Sequence, residues 1–245
     1  MNKGSILILG GKSDIGIAIA HKFAFEGYNI QLAARNARML KNDLKDLQIR
    51  YNIKVTIHEF DVLKINSHNK FVSNLPELPM IIVCAVGFMG CQKENEKNEK
   101  NASIVFRSNF EGPANIFSIF ANEFVKRGSG TLIGISSVAG DRGKASNYIY
   151  GSAKAGYTAF LSGMRSRLNT NNVKVITVLP GFVYSKMTKN MKLPKRLTTT
   201  PEEVAKSIFL SFKTGKDVIY VLPIWRVIML IINVIPEKIF KRLSL

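Results

Sequence analysis

Short apolar runs alternate with longer stretches of helical periodicity along nearly the whole chain, and this alternation limits the fold more than any other feature. Strand-like runs fall at 5–9, 29–34, 54–60, 80–86, 131–136, 173–179 and 218–222, and helical patterns at 14–26, 36–50, 102–127, 148–169 and 201–213. Several runs are apolar on both faces, as in Met80-Ile81-Ile82-Val83-Cys84-Ala85. Such a strand has to be covered on both faces, the condition of a parallel sheet between two helical layers. Strand and helix in alternation imply right-handed βαβ crossovers. The expected fold is therefore α/β: a doubly wound, seven-stranded parallel sheet with helices on both faces. No Pro/Gly/Ser linker divides the chain. Residues 1–223 read as a single domain holding both cofactor and catalytic sites, and 224–245 as an apolar and basic C-terminal tail.

Composition excludes several classes. Of the 245 residues 46% are hydrophobic and 21% charged, far from the disordered class. Glycine and proline show no period. The two cysteines, Cys84 and Cys91, lack a metal-ligand partner set, so no metal site is expected and a reducing, cytoplasmic setting is. Met1-Asn2-Lys3-Gly4 runs straight into Ser5-Ile6-Leu7-Ile8-Leu9, which reads as a buried strand rather than a secretory signal. An excess of 35 Lys+Arg over 17 Asp+Glu gives a net charge of +18 and calls for an anionic partner. No nucleic-acid recognition motif accompanies it, so anionic lipid and phosphorylated ligands are favoured. The polar stretch 92–101 has nearly balanced charge and reads as a solvated helix start.

The first βα turn reads Leu9-Gly10-Gly11-Lys12-Ser13-Asp14-Ile15-Gly16. Following a strand and opening a helix, it has the setting of a dinucleotide site. Gly10 makes the tight turn, Gly11 leaves room for a pyrophosphate, and Gly16 lets the helix approach the sheet. The helix N-terminus offers amides to phosphate. Gly10, Lys12, Ser13, Ile15 and Gly16 are its cofactor candidates. After the second strand, Ala34-Arg35 stands where an acid would bind the adenosine ribose, and Lys12 with Arg35 suits a 2′-phosphate, hence NADP.

Tyr150-Gly151-Ser152-Ala153-Lys154 puts a phenol and an ammonium one helical turn apart. Bringing a tyrosine from about 10 to near 7 takes roughly 4 kcal/mol. A cation at about 5 Å supplies about 3 kcal/mol at an effective dielectric near 20. Lys154 and an oxidised nicotinamide together meet that requirement, which predicts Tyr150 as an acid–base group titrating near neutrality. Ser137, 13 residues earlier at a strand's C-terminal end, is placed to hold a substrate carbonyl. Asn109 is a polar residue within an apolar helix.

Together these motifs resemble the short-chain dehydrogenase/reductase family over residues 4–223, with a Rossmann-like fold. They are the glycine turn, Asp61-Val62, Asn109, Ile135-Ser136-Ser137, Tyr150-x-x-x-Lys154 and Pro180-Gly181-Phe182-Val183. The resemblance implies Tyr150 as general acid and Lys154 as the residue that lowers its pKa and binds the nicotinamide ribose. Ser137 would position the carbonyl and Asn109 anchor a relay water. Asp61 and Val62 would contact adenine; Gly87, Pro180, Gly181 and Val183 would lie along the cofactor. It further implies a homodimer or homotetramer, paired through the helices bearing Asn109 and Tyr150.

Two departures stand out. Asp14 replaces a glycine of the phosphate turn and is expected to cap the following helix. Cys84-Ala85-Val86-Gly87 replaces Asn-Asn-Ala-Gly. The Gly-Gly-x-Ser-Asp-Ile-Gly turn and the tail resemble the decaprenylphosphoryl-2-keto-ribose reductase branch, which implies a lipid-linked keto-sugar substrate. A 3-oxoacyl-carrier-protein or similar lipid-ketone reductase is the alternative, and a non-catalytic nucleotide-binding sensor or scaffold is the reading from another class. In the tail, Val227 to Ile232 is apolar on every side. The nine residues to Ile235 cover about 14 Å, half of a bilayer core. The tail is expected to lie in a membrane interface at the inner face, with Trp225 at headgroup level and Arg226, Lys238, Lys241 and Arg242 near anionic lipid. Packing at a subunit interface or over the pocket is the alternative.

Overall fold

A computed structural model describes residues 3–243. β1 (Ser5–Leu9) leads through α1 (Asp14–Phe25) to β2 (Asn29–Ala34), and α2 (Lys41–Tyr51) leads on to β3 (Val55–Glu59). α3 (His68–Ser73) precedes β4 (Ile81–Cys84), and α4 (Gln92–Asn95), α5 (Glu99–Phe106) and α6 (Gly112–Arg127) connect it to β5 (Gly130–Ile135). Next come α7 (Tyr148–Leu168), β6 (Val173–Leu179), the short strands β7 (Phe182–Val183) and β8 (Thr198–Thr199), α8 (Pro201–Thr214) and β9 (Val218–Tyr220). α9 (Ile224–Val234) and α10 (Glu237–Phe240) close the described chain. The main sheet has seven parallel strands in the order β3-β2-β1-β4-β5-β6-β9. Winding reverses between β1 and β4, and that switch point opens a crevice at the strands' C-terminal ends.

β1 shows why the strand is apolar throughout. Ile6 and Ile8 point into the core under α1, α2 and α8, while Leu7 and Leu9 point into the core under α6 and α7. Side chains alternate across a strand, so both faces of a central strand are interior. Each fully buried Leu, Ile or Phe adds roughly 1.5–3 kcal/mol, which makes the two cores the main source of stability.

Boundaries differ from the sequence expectations where local geometry intervenes. Asn36 is left-handed (φ 55°), so a 3₁₀ turn at Ala37–Leu40 delays α2 to Lys41. The helix expected over 102–127 begins at Glu99 and carries a π turn at Arg107–Glu111, around Asn109. α3 and the β7–β8 pair carry no clear sequence signal; α8 starts at a full capping box between Thr200 and Glu203.

The tail packs onto the domain. Trp225, Met229, Ile232 and Phe240 form a cluster with Val138 and Leu179. Trp225 is 5% exposed, which corrects its expected place at headgroup level: its indole Nε1 donates to Leu197 O at 3.1 Å. A Cβ on Gly181 would fall inside that indole. Arg142 clamps the end of α9, donating to Ile232 O at 2.5 Å and Ile235 O at 2.7 Å. It also bonds Glu237 at 3.0 Å and lies over the Phe240 ring at 3.9 Å. No described helix is long and apolar enough to cross a membrane. Met1, Asn2, Ser244 and Leu245, the ends of the two expected segments, lie outside the described residues.

Candidate active site

The β1–α1 turn forms one lip of the crevice. Gly10 has φ 87°, a left-handed value that favours glycine, and its amide donates to Ala33 O at 2.8 Å. Ser13 caps α1: its hydroxyl accepts from the Gly16 amide at 3.0 Å and donates to Gly10 O at 2.8 Å. This corrects the expected cap at Asp14. Ser13 has the extended backbone an N-cap requires, whereas Asp14 is already helical. Freed from capping, the Asp14 carboxylate crosses the crevice to accept the Lys186 amide at 2.6 Å, with Lys186 Nζ at 3.5 Å. Gly16 is a packing position, since a Cβ there would stand 2.5 Å from Gly10 O. A side chain at Gly11 would meet Leu32 rather than a ligand, which corrects its expected place beside the pyrophosphate.

From this turn a groove runs both ways. On one side lies a polar cleft of about 760 Å³ lined by Lys12, Arg35, Asp61, Lys64 and Lys70. A narrower stretch of about 200 Å³, lined by Gly10, Ser13, Val62 and Gly87 among others, continues it. A chamber of about 620 Å³ follows, bordered by Ile15, Tyr150, Lys154, Pro180, Gly181 and Val183. Neighbouring cavities share wall residues, Lys12, Arg35 and Asp61 at one junction and Ser13 and Gly87 at the other. Apart from Gly16, every cofactor candidate read from the sequence borders this groove. The polar cleft also holds an acid the sequence reading missed. Glu59 accepts the Asn36 and Ala37 amides, each at 2.8 Å, and those bonds hold its carboxyl below the usual range.

Three of the four catalytic candidates, Ser137, Tyr150 and Lys154, line the chamber, and Asn109 does not. Ser136 Oγ donates to Lys154 O at 3.0 Å and shares a 2.7 Å bond with Thr158, pinning α7 to the end of β5. Ser137, at the end of β5, and Tyr150, on α7, line the same chamber, the Ser137 hydroxyl accepting the Ala139 amide at 3.1 Å. Lys154 is 3% exposed; its Nζ donates to Ile135 O at 3.0 Å and stands 5.7 Å from the Tyr150 ring centre. Burial pulls Lys154 down to about 8 and pushes Tyr150 up to about 12, the Ser137 bond opposing the latter. The expected shift toward neutrality requires the nicotinamide cation beside Lys154; among protein groups alone burial dominates and Tyr150 is a protonated donor. Asn109 is fully buried; its Nδ2 donates to Phe88 O at 2.6 Å and Val105 O at 2.8 Å, and its Oδ1 accepts the Phe88 amide at 3.3 Å. It thus fixes the strand end that carries Gly87.

Other groups in the chamber came without sequence signals. Val138, Phe88, Met187, Met191, Phe182 and Trp225 make an apolar wall, interrupted by Lys144 and Asn147. Lys144 is half-buried and desolvation lowers its pKa; Asn147 Oδ1 is buried with no partner. Both belong to a loop that reads as ordinary surface. The stretch 92–101 is mostly exposed as expected, except that Asn95 is buried and donates to Met89 O at 3.1 Å. Gln92 accepts the Ile149 amide at 3.3 Å at the start of α7.

Known proteins resemble the chain in sequence and in fold. An uncharacterized oxidoreductase of Mycobacterium tuberculosis (strain ATCC 25618 / H37Rv) is 32% identical over 241 residues, 97% of this chain and 96% of that protein. The 3-oxoacyl-[acyl-carrier-protein] reductase FabG of Chlamydia muridarum is 29% identical over 218 residues, 84% and 88% of the two chains. A short chain dehydrogenase from Burkholderia cenocepacia, solved in complex with NADP, superposes with a TM-score of 0.83 at 19% identity, covering 99% of this chain and 98% of its own. The family model for short chain dehydrogenases matches residues 5–196. By that match and by the relative that spans 97% of it, the chain belongs to the short chain dehydrogenase family.

Proposed function

We propose that this protein is an NADP-dependent reductase that converts a ketone to an alcohol on a lipid-linked or phosphorylated keto-sugar. The convergence of Ser137, Tyr150 and Lys154 beside a dinucleotide-shaped groove carries the reading. The residues lining the groove fit the cofactor. The polar cleft has four cations, Lys12, Arg35, Lys64 and Lys70, against the acids Glu59 and Asp61, which suits an adenosine 2′-phosphate. The N-terminus of α1 suits the pyrophosphate, and Lys154 and Tyr150 would hold the nicotinamide ribose. When bound, NADPH supplies the hydride. Tyr150 gives its phenolic proton to the carbonyl oxygen, and the Ser137 hydroxyl donates a hydrogen bond to the same oxygen. The Lys154 ammonium stabilises the phenolate that results, and a water held near Asn109 restores the proton.

Lys144 and Asn147 within an apolar wall favour a substrate with a charged, hydroxylated head and an apolar body. Such a molecule lives in a membrane, and we read the enzyme as a cytoplasmic homodimer or homotetramer working at the inner face, its segment 224–243 against lipid. Likeness to a 3-oxoacyl-carrier-protein reductase supports a second reading, a lipid-ketone reductase. NADPH oxidation with a prenyl-phosphate-linked 2-keto-pentose and with a 3-oxoacyl thioester separates them. The keto-sugar is expected to be the better substrate. Lys144→Met should lower its kcat/KM by about tenfold or more while leaving the thioester unchanged. Preference for the thioester, with Lys144 silent on both, would reject the keto-sugar.

A further inference from the structure

Helix α9 is apolar on two opposite sides. Trp225, Met229 and Ile232 face the domain. At 100° per residue, Ile224, Val227, Leu230, Ile231 and Val234 share the outer stripe, and they are between 46% and 71% exposed. Ile239 on α10, 54% exposed, adds to it. Exposed apolar residues are ordinarily scattered; a contiguous set of this kind marks an interaction surface. Arg226 falls next to Leu230 on the helix, and Lys238, Lys241 and Arg242 follow, all exposed. Glu237 is the lone acid between 224 and 243, and Arg142 already engages it. None of the four cations is ion-paired among the described residues.

We propose that this stripe and its cations dock on an anionic lipid surface. A second copy of the chain is the poorer occupant, because self-apposition would set cations against cations. On lipid, the stripe enters the acyl boundary while the cations meet phosphate groups. α9 has 11 residues, about 16 Å, so it lies flat rather than crossing. Docking also places the chamber beside the membrane, since Trp225 roots α9 and lines the chamber wall at once. This last point rests on the lipid-linked reading of the substrate; the docking face does not.

Co-sedimentation of the full chain with phosphatidylglycerol-containing vesicles at physiological salt tests the proposal. Wild type should bind them about 600-fold more tightly than pure phosphatidylcholine, at about fivefold for each of the four cations. Leu230→Glu with Val234→Glu should abolish sedimentation with both. Lys238→Gln, Lys241→Gln and Arg242→Gln together should reduce the anionic preference to the roughly fivefold that Arg226 supplies, leaving binding to phosphatidylcholine unchanged. All five positions are exposed, so reduction of a water-soluble ketone without vesicles should keep its wild-type rate. Wild type that does not prefer anionic vesicles, or a stripe variant that sediments undiminished, overturns the proposal. So does a stripe variant that converts a dimer to a monomer in ultracentrifugation while wild type ignores vesicles. Vesicle binding without any NADPH oxidation would sink the reductase reading and leave the docking face standing.

Discussion

Lys154 and Trp225 line the same chamber, yet different means hold them there. Lys154 sits at the floor, where α7 is bonded to β5 through Ser136 and its own Nζ is fixed on Ile135 O. Those contacts reach into both hydrophobic cores, so the floor moves only if the sheet does. Trp225 belongs to the wall, held by one bond to Leu197 O, by the space that Gly181 leaves, and by the Arg142 clamp on α9. Here a few local contacts do the fastening. The floor sets which chemistry is possible; the wall sets what is admitted. Changes in the two regions should therefore separate turnover from substrate selection.

Tyr150→Phe should break the floor most. Loss of a general acid lowers kcat by about 10³-fold, while NADPH affinity, read by fluorescence titration, falls by no more than about fivefold, the worth of one hydrogen bond to the ribose. Retained turnover would remove Tyr150 from the acid role. Gly181→Ala attacks the wall instead. Its methyl group would enter the Trp225 indole, and overpacking of this kind costs about 1–3 kcal/mol. The expected result is a lower Tm, faster proteolysis near α9 and a raised ketone KM, with kcat for a small soluble ketone preserved. Unchanged KM would mean that Trp225 does not shape the chamber.

Floor and wall were not equally legible in the sequence. The inner strands were readable because β1, β2, β4, β5 and β6 are buried on both faces, which leaves long apolar runs. Tyr150, Lys154 and Ser137 were readable because helical spacing and a strand end fix their relation. The state of Tyr150 was not, because its pKa depends on how completely α7 and the loop after β5 exclude water. Asp14 was misassigned since sequence shows which residues can cap and not which one has extended backbone. Lys144 and Arg142 look like any of 35 Lys and Arg; only the folded loop shows that one faces the chamber and the other grips α9. In the tail, apolar composition was plain, but the division into a buried side with Trp225 and an exposed side with Val234 needed the partner surface at Gly181.

Lys154 sharpens the comparison through pH. Burial lowers it from 10.5 to about 8, so between those values the unfolded chain binds more protons than the folded one. The resulting penalty, about 3 kcal/mol, is complete below pH 8 and disappears as pH rises through 10.5. Lys154→Met should relieve it, less about 1 kcal/mol for the lost bond to Ile135 O. Tm at pH 7 should rise, the gain should fade toward pH 10, and turnover should be lost. A variant less stable than wild type at pH 7 would show that the ammonium stabilises the floor rather than straining it.

Asp14 joins the two regions, and its expected effect is the smallest. Its carboxylate sits at the N-terminal end of α1 but holds the Lys186 amide at 2.6 Å, and so ties the segment carrying Met187 and Met191 to the β1–α1 turn. The contact is partly solvated, which limits it to about 1 kcal/mol, or about fivefold. Asp14→Gly should raise ketone KM by that factor and tighten NADPH binding, since a negative charge leaves the proposed phosphate site. Asp14→Asn separates the two effects: its Oδ1 can still accept the Lys186 amide, so ketone KM should return to wild type while NADPH stays tightly bound. If Asn behaves as Gly on the ketone side, the carboxylate acts through its attraction to Lys186 Nζ rather than through the amide. That outcome would move the fastening of the wall from backbone geometry to charge, and ketone KM would then rise with salt in wild type as well.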